Sequence, residues 1–221
     1  MTPGGAPNVS GELPDAVAIF PLTGAIVLPF AQLPLNIFEP RYLAMVEDAL
    51  GQGRLIGMIQ PRHAAGETVG DTDPVYEVGC LGRITQFSET PDGRFGITLT
   101  GVCRFHLRRE LDMVRGYRRV APDFSPFLSD LEPPAGGLAD RAGLERALRA
   151  FLDSLEIQAD WEALGQSSDA ELVTSMVMGC PFGPEEKQAL LEADDLPARA
   201  DRLQSILEMS AHEGAGSPVR H

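Results

Sequence analysis

Apolar and polar positions alternate most regularly between Arg94 and Leu107. Phe95, Ile97, Leu99, Cys103, Phe105 and Leu107 share one parity, and Arg94, Thr98, Thr100, Arg104 and His106 share the other. A period of two predicts a half-buried strand. The run is long for one strand, so Gly101 is expected to mark a bulge or bend. Upstream, Tyr76, Val78, Cys80 and Ile84 share a face, and Thr90-Pro91-Asp92-Gly93 carries turn residues between the two runs. Together they predict a hairpin. Shorter apolar runs read as further strands: 17–22, closed by Pro21 and the turn Thr23-Gly24, then 26–28, closed by Pro29, and 55–59, ended by Pro61. Residues 66–74 hold Gly, Thr and Asp and read as a mobile loop.

One helix interrupts these strands. Pro40 suits the first helical position, where its missing N–H costs nothing. Tyr42, Leu43, Met45, Val46, Ala49 and Leu50 recur at three-to-four spacing, and Gly51 and Gly53 end the pattern. Beyond Pro133-Pro134-Ala135-Gly136-Gly137 the period changes to that of helices. It is carried by Leu144, Leu148, Phe151, Leu152 and Leu155, then by Leu172, Val173, Met176 and Val177, then by Leu190, Leu191, Leu203, Ile206 and Leu207. Asp169 and Pro184 mark helix starts. The chain is therefore expected to be α+β, a β-rich N-terminal domain with one interposed helix followed by a small helical bundle. The expected divisions are an unstructured start at 1–15, the β domain at 16–128, a linker at 129–137, the bundle at 138–210 and a disordered tail at 211–221.

Charge sharpens this division. Residues 1–128 hold 14 acids against 11 arginines, whereas residues 129–213 hold 18 acids against 6 bases, within a formal net charge of −14. So acidic a second half repels phosphate backbones and anionic membrane. No run of 18 apolar residues occurs, and the first 16 residues lack the basic and apolar segments of a signal peptide, so a cytoplasmic location is expected. Cys80, Cys103 and Cys180 are odd in number and far apart, which fits a reduced compartment.

The chain holds 17 arginines and one lysine, Lys187. A phosphate-binding loop needs Lys after a glycine-rich turn, and Lys187 follows Glu186. A Ser-Lys dyad needs a desolvated lysine, and Lys187 sits among acids. Neither ATPase nor Ser-Lys peptidase chemistry is expected, nor any catalytic residue.

The stretches Ile19-Phe20-Pro21-Leu22, Val27-Leu28-Pro29 and Leu33-Pro34-Leu35-Asn36-Ile37-Phe38-Glu39-Pro40-Arg41-Tyr42 together resemble the opening of the Lon N-terminal domain family. The likeness continues through Arg54-Leu55-Ile56-Gly57, Val75-Tyr76-Glu77-Val78-Gly79-Cys80 and Gly101-Val102-Cys103-Arg104-Phe105. Phe38-Glu39-Pro40-Arg41-Tyr42 and the helix from Phe182 to Glu192 are similar to single-domain relatives that lack ATPase and peptidase domains. Asn36 stands where histidine is common in the family, so no role of that histidine is carried over. The resemblance implies a PUA-like pseudo-barrel with a helical extension, and a part in recognising substrates rather than cleaving them.

Residues 33–38 are the candidate contact. They place Leu33, Leu35, Ile37 and Phe38 in a proline-containing loop that either plugs the barrel or presents an apolar surface to extended peptides. Arg41 is expected to anchor that loop, to an acid of the bundle, with Tyr42 beside it. The chain is thus expected to be a non-enzymatic module that binds exposed apolar segments of unfolded or extended polypeptides, as an adaptor or holdase-like factor. The alternative is a small-ligand or nucleic-acid module, with Arg104, Arg108, Arg109, Arg118 and Arg119 as the nucleic-acid contacts and Phe105 and Tyr117 nearby for stacking. Docking or solvation of these arginines is the reading preferred over RNA. Cys103 with His106 invites a metal, but strand parity points Cys103 inward and His106 outward with Arg104. Four converging ligands are not in view, so neither metal nor cofactor is expected.

Overall fold

The computed structural model describes residues 13–62, 70–134 and 136–216, the last five of these by backbone alone. Residues 1–12 of the expected unstructured start, 63–69 of the expected loop and its flank, and 217–221 of the expected tail lie outside the described residues. The chain forms two compact units, 1–133 and 134–221.

The first unit holds β1 (Val17–Pro21), β2 (Gln32–Ile37), α1 (Pro40–Gly51), β3 (Leu55–Ile59), β4 (Val78–Glu89), β5 (Phe95–Val114) and β6 (Tyr117–Asp123), then a 3₁₀ helix, Ser125–Leu131. The strands lie in the order β2-β5-β4-β3-β1-β6, and β6 pairs again with β5. Five strands therefore close into a barrel, with β2 left outside as an added edge. The long strand β5 makes closure possible. Its first half pairs with β2 and β4, and its second half turns onto β6. The ladders are antiparallel except β1 with β3, which α1 joins as a crossover.

The expected hairpin is β4–β5, and the expected irregularity at Gly101 is present. The register shifts by one where Leu81 faces Cys103 and Gly82 faces Gly101. Gly101 also lets another segment cross. A Cβ there would stand 2.0 Å from the Leu28 carbonyl oxygen. Two more glycines seat the Phe105 ring, because a Cβ on Gly79 or Gly57 would come within 2.7 and 3.1 Å of it. Phe105 is wholly buried with Ile19, Ile59, Leu81, Cys103 and Val120. Leu13, within the expected unstructured start, packs against this cluster.

Three expectations need correction. Residues 26–28 are buried but form no strand; Pro29 makes only a single bridge to Gly101. Residues 32–37 are not a loop or a plug but strand β2, since a proline is tolerated at a sheet edge. Arg104 does not point to solvent. The 3₁₀ helix packs against β5 and supplies Asp130, which accepts from the Arg104 backbone N–H at 3.0 Å, Nε at 2.8 Å and Nη2 at 2.9 Å. The guanidinium also lies 4.6 Å from the Phe127 ring centre, and the Cys103 thiol donates to the Phe127 carbonyl at 3.2 Å.

Around α1, Tyr42 packs on Phe20 with ring centres 4.4 Å apart. The Tyr117 hydroxyl donates to Asp48 Oδ2 at 2.8 Å. Burial, reinforced at Tyr117 by the Asp48 carboxylate, pushes both hydroxyls up to about 12. Between pH 10 and 12 the unfolded chain therefore loses protons that the folded chain keeps. Stability is unaffected by these groups below pH 10 and falls as pH rises through that window. The expected result is a urea midpoint that drops from pH 10 to pH 12, less so in Tyr117→Phe.

The second unit is helical: α2 (Arg141–Ser154), α3 (Trp161–Gln166), α4 (Asp169–Gly179), α5 (Pro184–Leu191) and α6 (Leu196–Gly216). Many of its acids cap helices. Asp140, Asp160 and Asp195 accept from the backbone N–H groups of Gly143, Ala163 and Ala198. Ser168 and Glu171 form a capping box, and Glu186 accepts from the Gly183 N–H. Part of the acidity of this half thus serves helix N-termini. Leu144, Leu148, Leu172, Val173, Leu190, Leu203 and Leu207 form the interior, with Phe151 and Phe182 stacked at 5.6 Å. The short α3 carries too few residues to show a period, and α6 continues into the expected tail as far as Gly216. No described helix is long and apolar enough to cross a membrane.

Candidate functional site

Beyond the barrel wall, β2, the start of β5 and the end of β4 form a three-stranded arm whose side chains fall into rows. On one face the rows are Leu33–Leu99–Ile84 and Leu35–Ile97–Phe87, then Ile37 beside Phe95. On the other they are Gln32–Thr100–Arg83, Pro34–Thr98–Gln86 and Asn36–Gly96–Ser88. One face is apolar as far as Phe95, where Glu89 ends the row, and the other is polar, with Arg83 its one cation among these rows. The Phe87 and Phe95 rings meet edge to face at 5.1 Å. Across the polar face Thr98 donates to Gln86 Oε1 at 3.1 Å, and the Thr85 and Thr100 hydroxyls share a bond of 2.9 Å.

A depression of about 570 Å³ lies on this arm. Gly96, having no side chain, leaves its floor open, while Pro34 and Asn36 bound it from β2 and Gln86 and Ser88 from β4. No charged residue lines it.

The backbone of β2 has two sides. The Gly101 N–H donates to the Ala31 carbonyl at 2.9 Å. Because bonded and non-bonded pairs alternate in an antiparallel ladder, Leu33, Leu35 and Ile37 bond inward to β5, and Gln32, Pro34 and Asn36 turn their backbone groups outward. Pro34 thus stands where its missing N–H breaks no ladder bond. Among the described residues β2 pairs with β5 alone, so this outer side is an open edge.

The six residues expected to make the contact do not form one surface. Leu33 and Leu35 are half-buried on the apolar face. Ile37 and Tyr42 belong to the interior. Phe38 is 61% exposed, on the opposite face, with the Arg94 guanidinium 5.9 Å from its ring centre. Arg41 bonds to Glu39 and Asp71 at 2.9 and 2.7 Å, both acids of the first unit. The sequence reading missed Phe87, 41% exposed, together with Gln86 and Ser88. A lone apolar residue between two polar ones just before a turn was the available signal.

The five arginines of the alternative site are also dispersed. Arg104 and Arg118 are buried, paired with Asp130 and Glu110, and Arg108 bonds to Asp123 at 3.2 Å. Arg109 is exposed and Arg119 half-buried. Of the pair weighed for a metal, the Cys103 thiol is held protonated by burial, its pKa raised to about 12, while His106 is half-exposed beside Glu77 at 3.7 Å. Among the described residues no group of three or more His, Cys, Asp or Glu is placed to hold a metal ion.

An α+β chain with a closed mixed barrel, an appended edge strand and a helical unit is a fold to which comparison gives a family. Residues 16–209 match the model of the ATP-dependent protease La (LON) substrate-binding domain, and the chain belongs to that family. Lon protease 2 of Sorangium cellulosum is 28% identical over 196 residues, covering 84% of this chain and 23% of its own length. Lon protease 2 of Myxococcus xanthus is 26% identical over 215 residues, covering 95% and 25%. The chain thus spans about a quarter of the length of these curated relatives. Among solved structures, the Lon N-terminal domain protein from Xanthomonas campestris superposes with a TM-score of 0.61 at 22% identity, covering 86% of this chain and 97% of that one. The N-terminal domain of Mycobacterium avium complex Lon protease gives 0.60 at 17%, covering 90% and 98%. The fold is that of Lon N-terminal domains.

Proposed function

We propose that this chain recognises exposed apolar segments of extended or unfolded polypeptides, as an adaptor or holdase-like factor in the cytoplasm, and catalyses no reaction. The observation that carries the reading is the arm itself. Leu33, Leu35 and Phe87 offer apolar surface on one side of an open edge, and Phe38 offers it on the other, within a domain of a substrate-binding family. Absence of catalysis is supported by Lys187, the single lysine, which lies on α5 between Glu186 and Gln188 rather than after a glycine-rich turn. The buried free thiols Cys80, Cys103 and Cys180 support a reducing compartment.

The test is capture of a labelled, permanently unfolded polypeptide against its folded parent, followed by fluorescence anisotropy. Wild type is expected to bind the unfolded form selectively. Phe38→Ala and Phe87→Ala, both at exposed positions, are each expected to weaken binding about tenfold, as truncation of an aromatic contact does. Equal binding of both forms, or of both variants and wild type, sinks the reading. A small-ligand module is favoured by one observation only, the uncharged depression, whose volume falls within the range of small-molecule sites. A thermal-shift screen that raises the melting temperature of wild type, and not of Gly96→Val, would establish it.

A further inference from the structure

We infer that the polypeptide is held as an added strand on the outer edge of β2, in a register interrupted at Pro34. This rests on the function proposed above and specifies how the segment is read. Gln32 and Asn36 each turn one N–H and one C=O outward, and Pro34 between them turns out a C=O alone. Such a row is a template for a further strand, whose backbone supplies the complementary groups. Pro34 does not close that edge. It removes the central donor, so an incoming strand bonds fully at both ends and donates to, but does not accept from, the middle. Pairing is weakened rather than forbidden, which suits capture followed by release and blunts permanent edge-to-edge association.

Side chains then select the occupant. In an added strand, alternate residues fall beside Leu33 and Leu35 on the apolar face, and the residues between them fall beside Pro34 and Asn36 at the rim of the depression. Asn36, Gln86, Ser88 and Thr98 make that rim uncharged and rich in amide and hydroxyl groups. A charged side chain placed there would lose hydration without gaining a counter-charge. The occupant is therefore an extended segment of about five residues, long enough to span Gln32 to Asn36 at one strand residue per position. Apolar side chains occupy every second position, and neutral ones lie between. Segments of this kind are strands of sheet cores, exposed when a protein unfolds.

The experiment uses the full chain and a fluorescent decapeptide of alternating valine and threonine with a lysine at each end. Backbone N-methylation is moved along the peptide one residue at a time. Methylation at every second residue is expected to weaken binding about tenfold, the loss of one interfacial hydrogen bond, and methylation at the intervening residues to change it little. Pro34→Thr, which restores the missing donor, is expected to tighten binding about fivefold. Hydrogen exchange at the Gln32 and Asn36 amides is expected to slow on peptide addition. If the peptide binds but the scan shows no period of two and these amides stay unprotected, strand addition is overturned while recognition through side chains stands. If neither this peptide nor the unfolded polypeptide binds at all, the proposed function itself fails. Protection of the same amides by concentration-dependent dimerisation without peptide makes a second copy the occupant and overturns the inference.

Discussion

Asp130→Ala is expected to destabilise the first unit by about 3–5 kcal/mol, the range for removing one partner of a buried ion pair. Arg104 is only 2% exposed, and the Asp130 carboxylate takes its backbone N–H, Nε and Nη2. Alanine would leave a buried guanidinium without its counter-charge and a buried backbone donor unpaired. The loss extends beyond the pair. The same contact holds the 3₁₀ helix onto β5, and with it Phe124, Phe127 and Leu131 against the barrel core. The urea midpoint should fall with little change in slope. Arg104→Met combined with Asp130→Leu should recover the part of the loss that comes from the uncompensated charge, because an apolar pair of similar volume requires no desolvation of charge, while the backbone N–H of residue 104 stays unpaired. If Asp130→Ala alone leaves the unfolding free energy within about 1 kcal/mol of wild type, the pair does not hold the helix.

Gly101→Ala is expected to cost about 3 kcal/mol or more, although alanine is the smallest side chain available. The added Cβ would meet the Leu28 carbonyl oxygen at 2.0 Å and its carbon at 2.7 Å. These are backbone atoms and cannot swing aside as a flexible side chain would. They are also tied to the residue they would strike. Phe30 donates to the Gly101 carbonyl and the Gly101 N–H donates to Ala31, both at 2.9 Å. Phe30 itself already takes a φ of 64°, in the left-handed region that bulky residues avoid. The turn therefore has no slack to absorb a shift. Since it leads directly into β2, Gly101→Ala is also expected to weaken polypeptide capture under conditions where the chain remains folded. A midpoint and affinity equal to wild type would show that the crossing is looser than its distances imply.

The elements that were legible in the sequence are those whose pattern is complete within a dozen residues. The β4–β5 hairpin showed its period of two and its turn, and α1 showed Pro40 at its start and glycines at its end. The candidate site was legible only in part, for two physical reasons. Leu33-Pro34-Leu35-Asn36-Ile37 alternates as a strand does, but its proline argues against a strand unless that strand lies at an edge. Edge position is a property of the whole sheet. Arg104 lies on the polar parity of its strand and reads as solvent-facing. It is buried because Asp130, 26 residues away, is brought over it.

By itself the sequence determined that a β-rich half precedes an acidic helical one and that Gly101 interrupts a long strand. These follow from local periodicity, from where glycine and proline are tolerated, and from charge, all of which act over short separations. Only the tertiary structure decided that 33–38 splits between core, apolar face and polar face, and that Phe87 joins it. It alone also showed that the arginines of β5 and β6 are largely neutralised in pairs and that the outer side of β2 is open. Those outcomes depend on barrel closure through β5 and β6, which brings distant residues together. No local pattern encodes which backbone groups such closure leaves unpaired.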